Sequence, residues 1–374
     1  MVATPEPVLP AYGGACLSSV VPALLDREHG TPSWVPEPAR SARQVVLLVL
    51  DGLGWEQLRR RRELAPTLCG MVGGAITSVA PTTTATALTS ITTGLTPAEH
   101  GVVGYRVRVG ANEVLNVLRW RTGSGDAREA VPPEKFQPQP AFDGAAMPVV
   151  TRAEFATTGF TQAHLVGTRM HGWRVASALP VEVAGLLEGG EPFVYAYYDG
   201  IDKVAHERGF GEFYDAELVA TDRLVADMVE ALVPGAALVV TSDHGQVLVG
   251  DSTIALDDDL MADVELLSGE GRFRWLHARR GATARLGRRA RERYGDVAWV
   301  RTREELVAEG WLGGRPAPEV ERRLGDVALV PFEPVAFYDP ADTGEAKMVC
   351  RHGSLTAEEA LVPLVACDSA HGEG

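Results

Sequence analysis

Lysine is nearly missing from this chain. Of 35 basic residues only Lys135, Lys203 and Lys347 are lysine, a bias of genome base composition rather than of mechanism. Cysteine is also scarce: Cys16, Cys69, Cys350 and Cys367 stand far apart with no CxxC spacing. That excludes a disulfide scaffold and a thiolate metal cluster, and fits a reduced compartment. No apolar run is long enough to span a bilayer. The start has no basic segment followed by an apolar run, although Gly14-Ala15-Cys16 has the look of a lipoprotein cleavage site. The expectation is a cytoplasmic protein with no membrane partner. Positive charge is in deficit too, with a formal net charge of -15 and a pI near 5.1. That argues against a nucleic-acid surface. It leaves an anionic substrate open, because bound divalent cations reverse the local field. Internal repeats and low-complexity tracts are absent, and nothing in the sequence sets an oligomeric state.

The 374 residues are 45% hydrophobic, enough for one large α/β domain with an insert. Gln44–Leu50 is a continuous aliphatic run, the pattern of a parallel strand buried on both faces. Glu191–Tyr198 and Ala236–Thr241 read the same way. An amphipathic helix carrying Leu218, Val225, Met228, Val229 and Leu232 lies between them and stops at Pro234-Gly235. Leu17–Leu25 and residues 56–72 read as helices; Ala75–Val79, Asn116–Trp120 and Ala163–Gly167 read as short strands. Residues 255–335 change character and are expected to form a small α/β cap inserted in a single catalytic domain, 1–374. Within it Asp257-Asp-Asp259 should cap a helix Leu260–Leu267 rather than bind metal. A helix Ala282–Tyr294, a strand Val297–Val300 and a helix Arg303–Glu309 follow. Val327–Phe332 is expected to return the chain to the core, and Leu361–Ala366 to be its last strand.

The chemistry is organised around Val79–Tyr105. Pro81 and three threonines, Thr82, Thr83 and Thr84, precede a small-residue helix that should end at Gly94. Unpaired amides and the positive end of the dipole at such a start favour an anion. A plain N-cap of a buried helix is the alternative. Three strands end in acids: Asp51, Asp199 with Asp202, and Asp243 beside His244. In a parallel sheet these ends share one edge, where open α/β sheets bind ligands. Asp202 and His206 are one helical turn apart. Carboxylates mixed with imidazoles suit a divalent ion such as zinc. Two such ions about 3.5–4 Å apart suit phosphoryl transfer. Each motif alone also reads as a turn, a surface pair or a cap.

Together, LLVLDGLG, APTTTATALTSITTGLTPAEHGVVG, YYDGIDKVAH, VVTSDHG and RHG, running from Val45 to His352, resemble the alkaline phosphatase superfamily in its nucleotide pyrophosphatase/phosphodiesterase branch. The resemblance implies an alkaline-phosphatase-like three-layer sandwich with a mostly parallel central sheet. It implies Thr84 as nucleophile, since the family threonine stands three residues after a proline. It implies two divalent metal ions, zinc first among them: one held by Asp202, His206 and His352, the other by Asp51, Thr84, Asp243 and His244. Asp199 lacks a histidine one turn on and is left outside the set. Where the family often carries an asparagine that binds phosphate oxygen, this chain has Tyr105, either a substituting donor or a packing residue. Thr82 is expected to cap the helix and Thr83 to pack. His29, His100, His164, His171, His277 and His371 are taken as structural or solvated.

The implied activity is hydrolysis of phosphate diesters or nucleotide pyrophosphate bonds on a small phosphate-ester or nucleotide substrate. A phosphomonoesterase or phosphonate hydrolase shares the same ligands, and a degenerate metal-binding scaffold is the rival outside enzymes. A diesterase needs an apolar slot, for which Tyr105, Trp120 and the prolines after it are available; a monoesterase needs a cation, for which Arg106 and Arg169 are available.

Overall fold

The computed structural model of the chain describes residues 4–26 and 30–369; His29 and His371 lie outside them. Helix α1 is Leu17–Leu25. Strand β1 is Gln44–Leu50 and β2 is Val72–Thr77. Helix α2, Thr84–Thr93, stops at Gly94, which takes the left-handed conformation that glycine adopts at low cost. Helix α3 is Gly159–His164, framed by β3, Pro148–Arg152, and β4, Arg169–Trp173. Then come β5, Phe193–Tyr198, α4, Gly200–Arg208, α5, Glu212–Glu230, and β6, Ala236–Thr241. Residues 255–335 add β7, Val264–Glu270, β8, Phe273–Ala278, α6, Thr283–Tyr294, β9, Ala298–Thr302, and β10, Val327–Pro331. Strand β11 is Leu361–Asp368.

The central sheet runs β2-β11-β6-β1-β5-β3-β4. Strands β6, β1, β5, β3 and β4 are mutually parallel; β11 runs antiparallel to both β6 and β2. Alternation along β1 shows how the aliphatic runs build three layers. Val45, Leu47 and Val49 join a core with Leu17, Val21, Leu24, Leu88 and Ile91 of α1 and α2. Val46, Leu48 and Leu50 join a second core with Ile201, Tyr214, Leu218, Val225 and Met228 of α4 and α5. Each such side chain, buried against both sheet and helix, contributes about 1.5–3 kcal/mol. Among the described residues, no helix is long and apolar enough to cross a membrane.

Several short elements differ from expectation for identifiable reasons. The helix over 56–72 is broken into Trp55–Arg60 and Pro66–Gly70, because Pro66 cannot continue a helix and instead starts one. Residues Ala163–Gly167 are not a strand: Thr158 caps α3 by accepting from the Thr161 amide at 3.1 Å. Strand character near Asn116 covers Val114–Asn116; the Asn116 side chain then accepts from the Arg119 amide at 3.0 Å and turns the chain into Trp120, at φ 51°. Where a helix Leu260–Leu267 is expected, helix forms only over Asp258–Met261, and Asp257 pairs with Arg293 instead of bonding the helix amides. Val264–Glu270 is a strand because it closes a hairpin with β8 across Gly271-Arg272. Val327–Pro331 does not return to the central sheet but pairs with β8 and β9, giving a separate four-stranded sheet β7-β8-β10-β9. One face of that sheet packs on Leu286, Ala290 and Tyr294 of α6, while Phe273, Trp275 and Trp311 join the main core.

Candidate metal centre

Parallel pairing of β6, β1 and β5 brings the ends of three strands to one edge, and with them Asp51, Asp202 and Asp243. A backbone hydrogen bond and a glycine turn lock the approach. The Asp202 amide donates to the Asp51 carbonyl at 3.1 Å. Between them Gly52 sits at φ 76°, where a Cβ would lie 2.6 Å from Gln246 Nε2 and 2.9 Å from Asp202 Cα, so no larger residue fits this junction.

The three threonines have three destinations. Thr82 does not cap α2; its hydroxyl donates to the Ser354 carbonyl at 2.8 Å and accepts from the Gly353 amide at 3.1 Å, tying the helix start to the segment that carries His352. Thr83 is the N-cap residue by backbone conformation and is buried. Thr84 is the first helical residue, and its Oγ1 lies 3.2 Å from His244 Nε2.

The imidazoles are aimed by backbone carbonyls. Nδ1 of His244 faces the Gly245 carbonyl at 3.0 Å, that of His206 the Cys350 carbonyl at 2.7 Å, and that of His352 the Thr82 carbonyl at 2.9 Å. A carbonyl can only accept, so each Nδ1 is the donor there, and in the neutral form of each ring the Nε2 lone pair is the one that points inward. His244 Nε2 is 3.5 Å from Asp51 Oδ1 and 3.4 Å from Asp243 Oδ2. His206 Nε2 is 3.2 Å and His352 Nε2 4.0 Å from Asp202 Oδ1. The His244 and His352 rings stack at 3.6 Å. Among the described residues, potential ligand atoms within 4.8 Å of one another form two groups, Asp51 with Asp243 and His244, and Asp202 with His244 and His352. His206 adjoins the second group through Asp202, and Thr84 adjoins the first through His244.

The electrostatics of this cluster call for cations. Asp51 Oδ1 and Asp243 Oδ2 are buried and accept no hydrogen bond. Burial, followed by the charges of Asp243 and Asp202, pushes the Asp51 carboxyl well above the usual carboxylate range. Burial acts in the same direction on Asp202, but His206 and then His352 outweigh it and hold that carboxyl below its ordinary value. Burial, followed by the neighbouring His244 and His206, pushes the His352 imidazole well below its ordinary range. Inward lone pairs and orphaned carboxylate oxygens are a donor set that fits divalent metal ions.

Asp199 stays outside the ligand groups: its two oxygens take Arg152 at 2.6 Å and Lys203 at 2.5 Å. Tyr105 is not brought to the cleft beside Thr84. Its amide donates to Glu270 at 3.2 Å and its hydroxyl accepts from Asn116 at 2.6 Å; burial pushes its phenol up to about 12. Trp120 is fully buried and donates to the Val131 carbonyl. Arg106 pairs with Asp339 and Arg169 with Glu191, so neither expected cation faces the cleft. His100 is buried between Ser90 and the Val102 amide, as a structural residue should be.

The cleft itself, about 240 Å³, exposes Asp51, Thr84 and Asp202 at one end and is walled by Leu88, Leu118, Phe155, Phe160 and Leu165. Lys203 and His164 also line it, and the His164 ring stacks on Phe160 at 3.9 Å. Sequence reasoning missed these walls, and it missed the side chains that orient the acids. The Tyr197 hydroxyl donates to Asp51, and Gln246 Nε2 donates to Asp202 Oδ1 at 3.0 Å. Tyr197 could have been found by parity: it faces Val49 across β1–β5, on the same face as α2.

The sequence matches the model of the type I phosphodiesterase / nucleotide pyrophosphatase family over residues 45–355. No curated protein matches it. Murine ectonucleotide pyrophosphatase / phosphodiesterase 5 superposes with a TM-score of 0.63 at 15% identity, covering 87% of this chain and 88% of that one. An inactive form of the same murine protein, in complex with AMP, superposes equally well. Phosphonoacetate hydrolase from Sinorhizobium meliloti, in complex with phosphonoformate, gives 0.62 at 20% identity over 87% of this chain and 90% of that one. At these identities the structural likeness is one of fold.

Proposed function

Because this chain belongs to the type I phosphodiesterase / nucleotide pyrophosphatase family, a branch of the alkaline phosphatase superfamily, and is thereby a phosphoric ester hydrolase, we propose that it cleaves phosphate diesters or nucleotide pyrophosphate bonds through a phosphothreonine on Thr84. The observation that carries this reading is the position of Thr84 Oγ1, at the first turn of α2 and 3.2 Å from the imidazole that both ligand groups share. Asp51, Asp243 and His244 would hold one divalent ion with Thr84, and Asp202, His206 and His352 the other, zinc being the first candidate. When bound, such ions supply Lewis-acid charge at the attacking and leaving oxygens.

The chain's own residues do the rest. Thr84 Oγ1 forms the new bond to phosphorus while the ester oxygen opposite departs, and water then cleaves the phosphothreonine. The first amides of α2 have no intrahelical acceptor and face the non-bridging oxygens. Leu118 and Phe155 receive the organic group of the diester, in keeping with the AMP bound by the murine neighbour.

The test is turnover of bis(p-nitrophenyl) phosphate against p-nitrophenyl phosphate, with and without added zinc. The reading expects the diester to be the better substrate and turnover to need the metal; a faster monoester would favour the monoesterase or phosphonate reading, for which Lys203 at the cleft is the supporting cation. The slot makes a separate prediction. Phe155→Ala or Leu118→Ala should raise KM for the diester about tenfold, the loss of about 1–2 kcal/mol of apolar contact, with kcat within about threefold. An unchanged KM in both variants would remove these side chains from the substrate site.

A further inference from the structure

A second cavity, about 670 Å³, lies where the cap region meets the loops after α2, and it shares no residue with the cleft of Thr84. Its walls carry Arg108, Lys135, Arg303, Arg322 and Arg323 against two acids, Glu319 and Asp326. In a chain with 50 acidic residues and a net charge of -15, that local excess runs against the general field.

The five cations are not equally neutralised. Arg303 has Asp326, Glu321 and Glu304 within 3.7 Å, and Arg108 has Glu265 at 3.6 Å. Arg323 has no carboxylate within ion-pair distance among the described residues. Its guanidinium is fixed instead by the carbonyls of Gly101 at 2.6 Å and Phe136 at 2.9 Å, and lies 3.8 Å above the Phe136 ring. Burial pushes its pKa down to about 10 against the nearby charge of Glu319, so the guanidinium stays charged at neutral pH, with no carboxylate bonded to it. Exposed Lys135 and Arg322 likewise have no ion pair among the described residues. The contrast lies within the same region: Arg285, Arg289, Arg291 and Arg293 of α6 each meet a carboxylate. Like charges gathered around one cavity repel, and their repulsion is relieved by an anion placed among them. Phe136 and Leu324 give the cavity an apolar floor, and its volume falls in the range of small-molecule sites. Guanidinium groups match phosphate oxygens in pairs.

We propose that this cavity binds a small phosphorylated molecule carrying two or more negative charges, at a site separate from the hydrolytic cleft.

The three lysines make the test local. Lys135 stands in the cavity wall, Lys203 in the cleft, and exposed Lys347 in neither. Brief reductive methylation of the wild-type chain, read by mass spectrometry, should show Lys135 protected by AMP or by inorganic pyrophosphate and Lys347 unaffected. Stronger protection by AMP would mean that the organic body is recognised with the phosphate, and stronger protection by pyrophosphate that phosphate alone suffices; Lys203 reports occupancy of the cleft independently. Arg322→Ser should raise the concentration needed to protect Lys135 about tenfold, one charge-assisted contact, and leave protection of Lys203 unchanged. Equal labelling of Lys135 with and without both anions would overturn the proposal, and so would equal protection by uncharged adenosine or no effect of Arg322→Ser.

Discussion

Replacing Thr84 by alanine should lower turnover about 10³-fold or more while leaving the fold and the bound metal in place. Its hydroxyl, on the first residue of α2, lies 3.2 Å from the shared imidazole of His244; Thr82 is spent on Ser354 and Gly353, and Thr83 is the N-cap residue. Deleting a nucleophile removes the covalent route altogether, so the loss belongs in kcat. Thr84→Ser keeps the oxygen and loses only a methyl group, and should retain turnover within about 100-fold of the wild type. Trapped phosphoenzyme, digested and read over Val79–Gly94, should carry phosphate on Thr84. Phosphate on Thr82 or Thr83, or near-normal activity in Thr84→Ala, would show that another register operates.

Asp51→Asn should have two effects of opposite sign. Activity should fall at least 100-fold, because a carboxylate ligand of the proposed site is lost. The metal-free protein should become more stable. The argument is one of linkage. Burial and the charges of Asp243 and Asp202 raise the folded-state pKa of Asp51 above its unfolded value. The folded chain therefore holds that proton more tightly than the unfolded one. Ionising Asp51 costs the folded state stability, progressively as pH rises from the unfolded carboxylate pKa through the raised one. Asparagine is neutral across this window and still accepts from the Tyr197 hydroxyl. In EDTA at neutral pH the variant should melt higher than the wild type, the gap narrowing as pH falls toward 4. With metal restored, the order should reverse. A lower melting temperature for Asp51→Asn in EDTA would mean that the cluster is not strained by its own charge.

How far this could be read from sequence depends on whether the signal is local. The strands β1, β5 and β6 announce themselves as aliphatic runs that stop at acids, and parallel pairing then leaves few places for Asp51, Asp202 and Asp243 except one edge. The hairpin β7–β8 does not announce itself. Val264-Glu-Leu-Leu follows three aspartates that imitate a helix start, and only pairing across Gly271-Arg272 makes it a strand. The fate of β10 was illegible for the same reason: an apolar strand can serve either sheet, and which one depends on contacts distant in the chain. In the site, Asp243 with His244 is visible as a pair, whereas Gln246 and Tyr197 become partners of the acids only through register and turn geometry. The walls of the cleft are not legible in the sequence because Leu118, Phe155 and Phe160 come from segments without clear periodicity, and the buried, turn-forming position of Trp120 rests on an unusual backbone angle.

The insertion of β11 between β6 and β2 has a consequence for how the protein is made. Until residues 361–368 leave the ribosome, the only β-pairing of β2 among the described residues is the single bridge of Thr77 to Cys16, and one edge of β6 stays open. Asp51, Thr84, Asp202, Asp243 and His244 are all synthesised by then, while His352 arrives only just ahead of the closing strand. At about 5–20 residues per second, roughly 6–25 s separate the emergence of His244 from that of β11. Throughout that interval the nascent chain presents an unsatisfied aliphatic edge, the kind that recruits other chains. Shortening the protein before residue 361 should therefore yield aggregate rather than a smaller enzyme, and a soluble, protease-resistant 1–360 fragment would show that the sheet can close without its last strand.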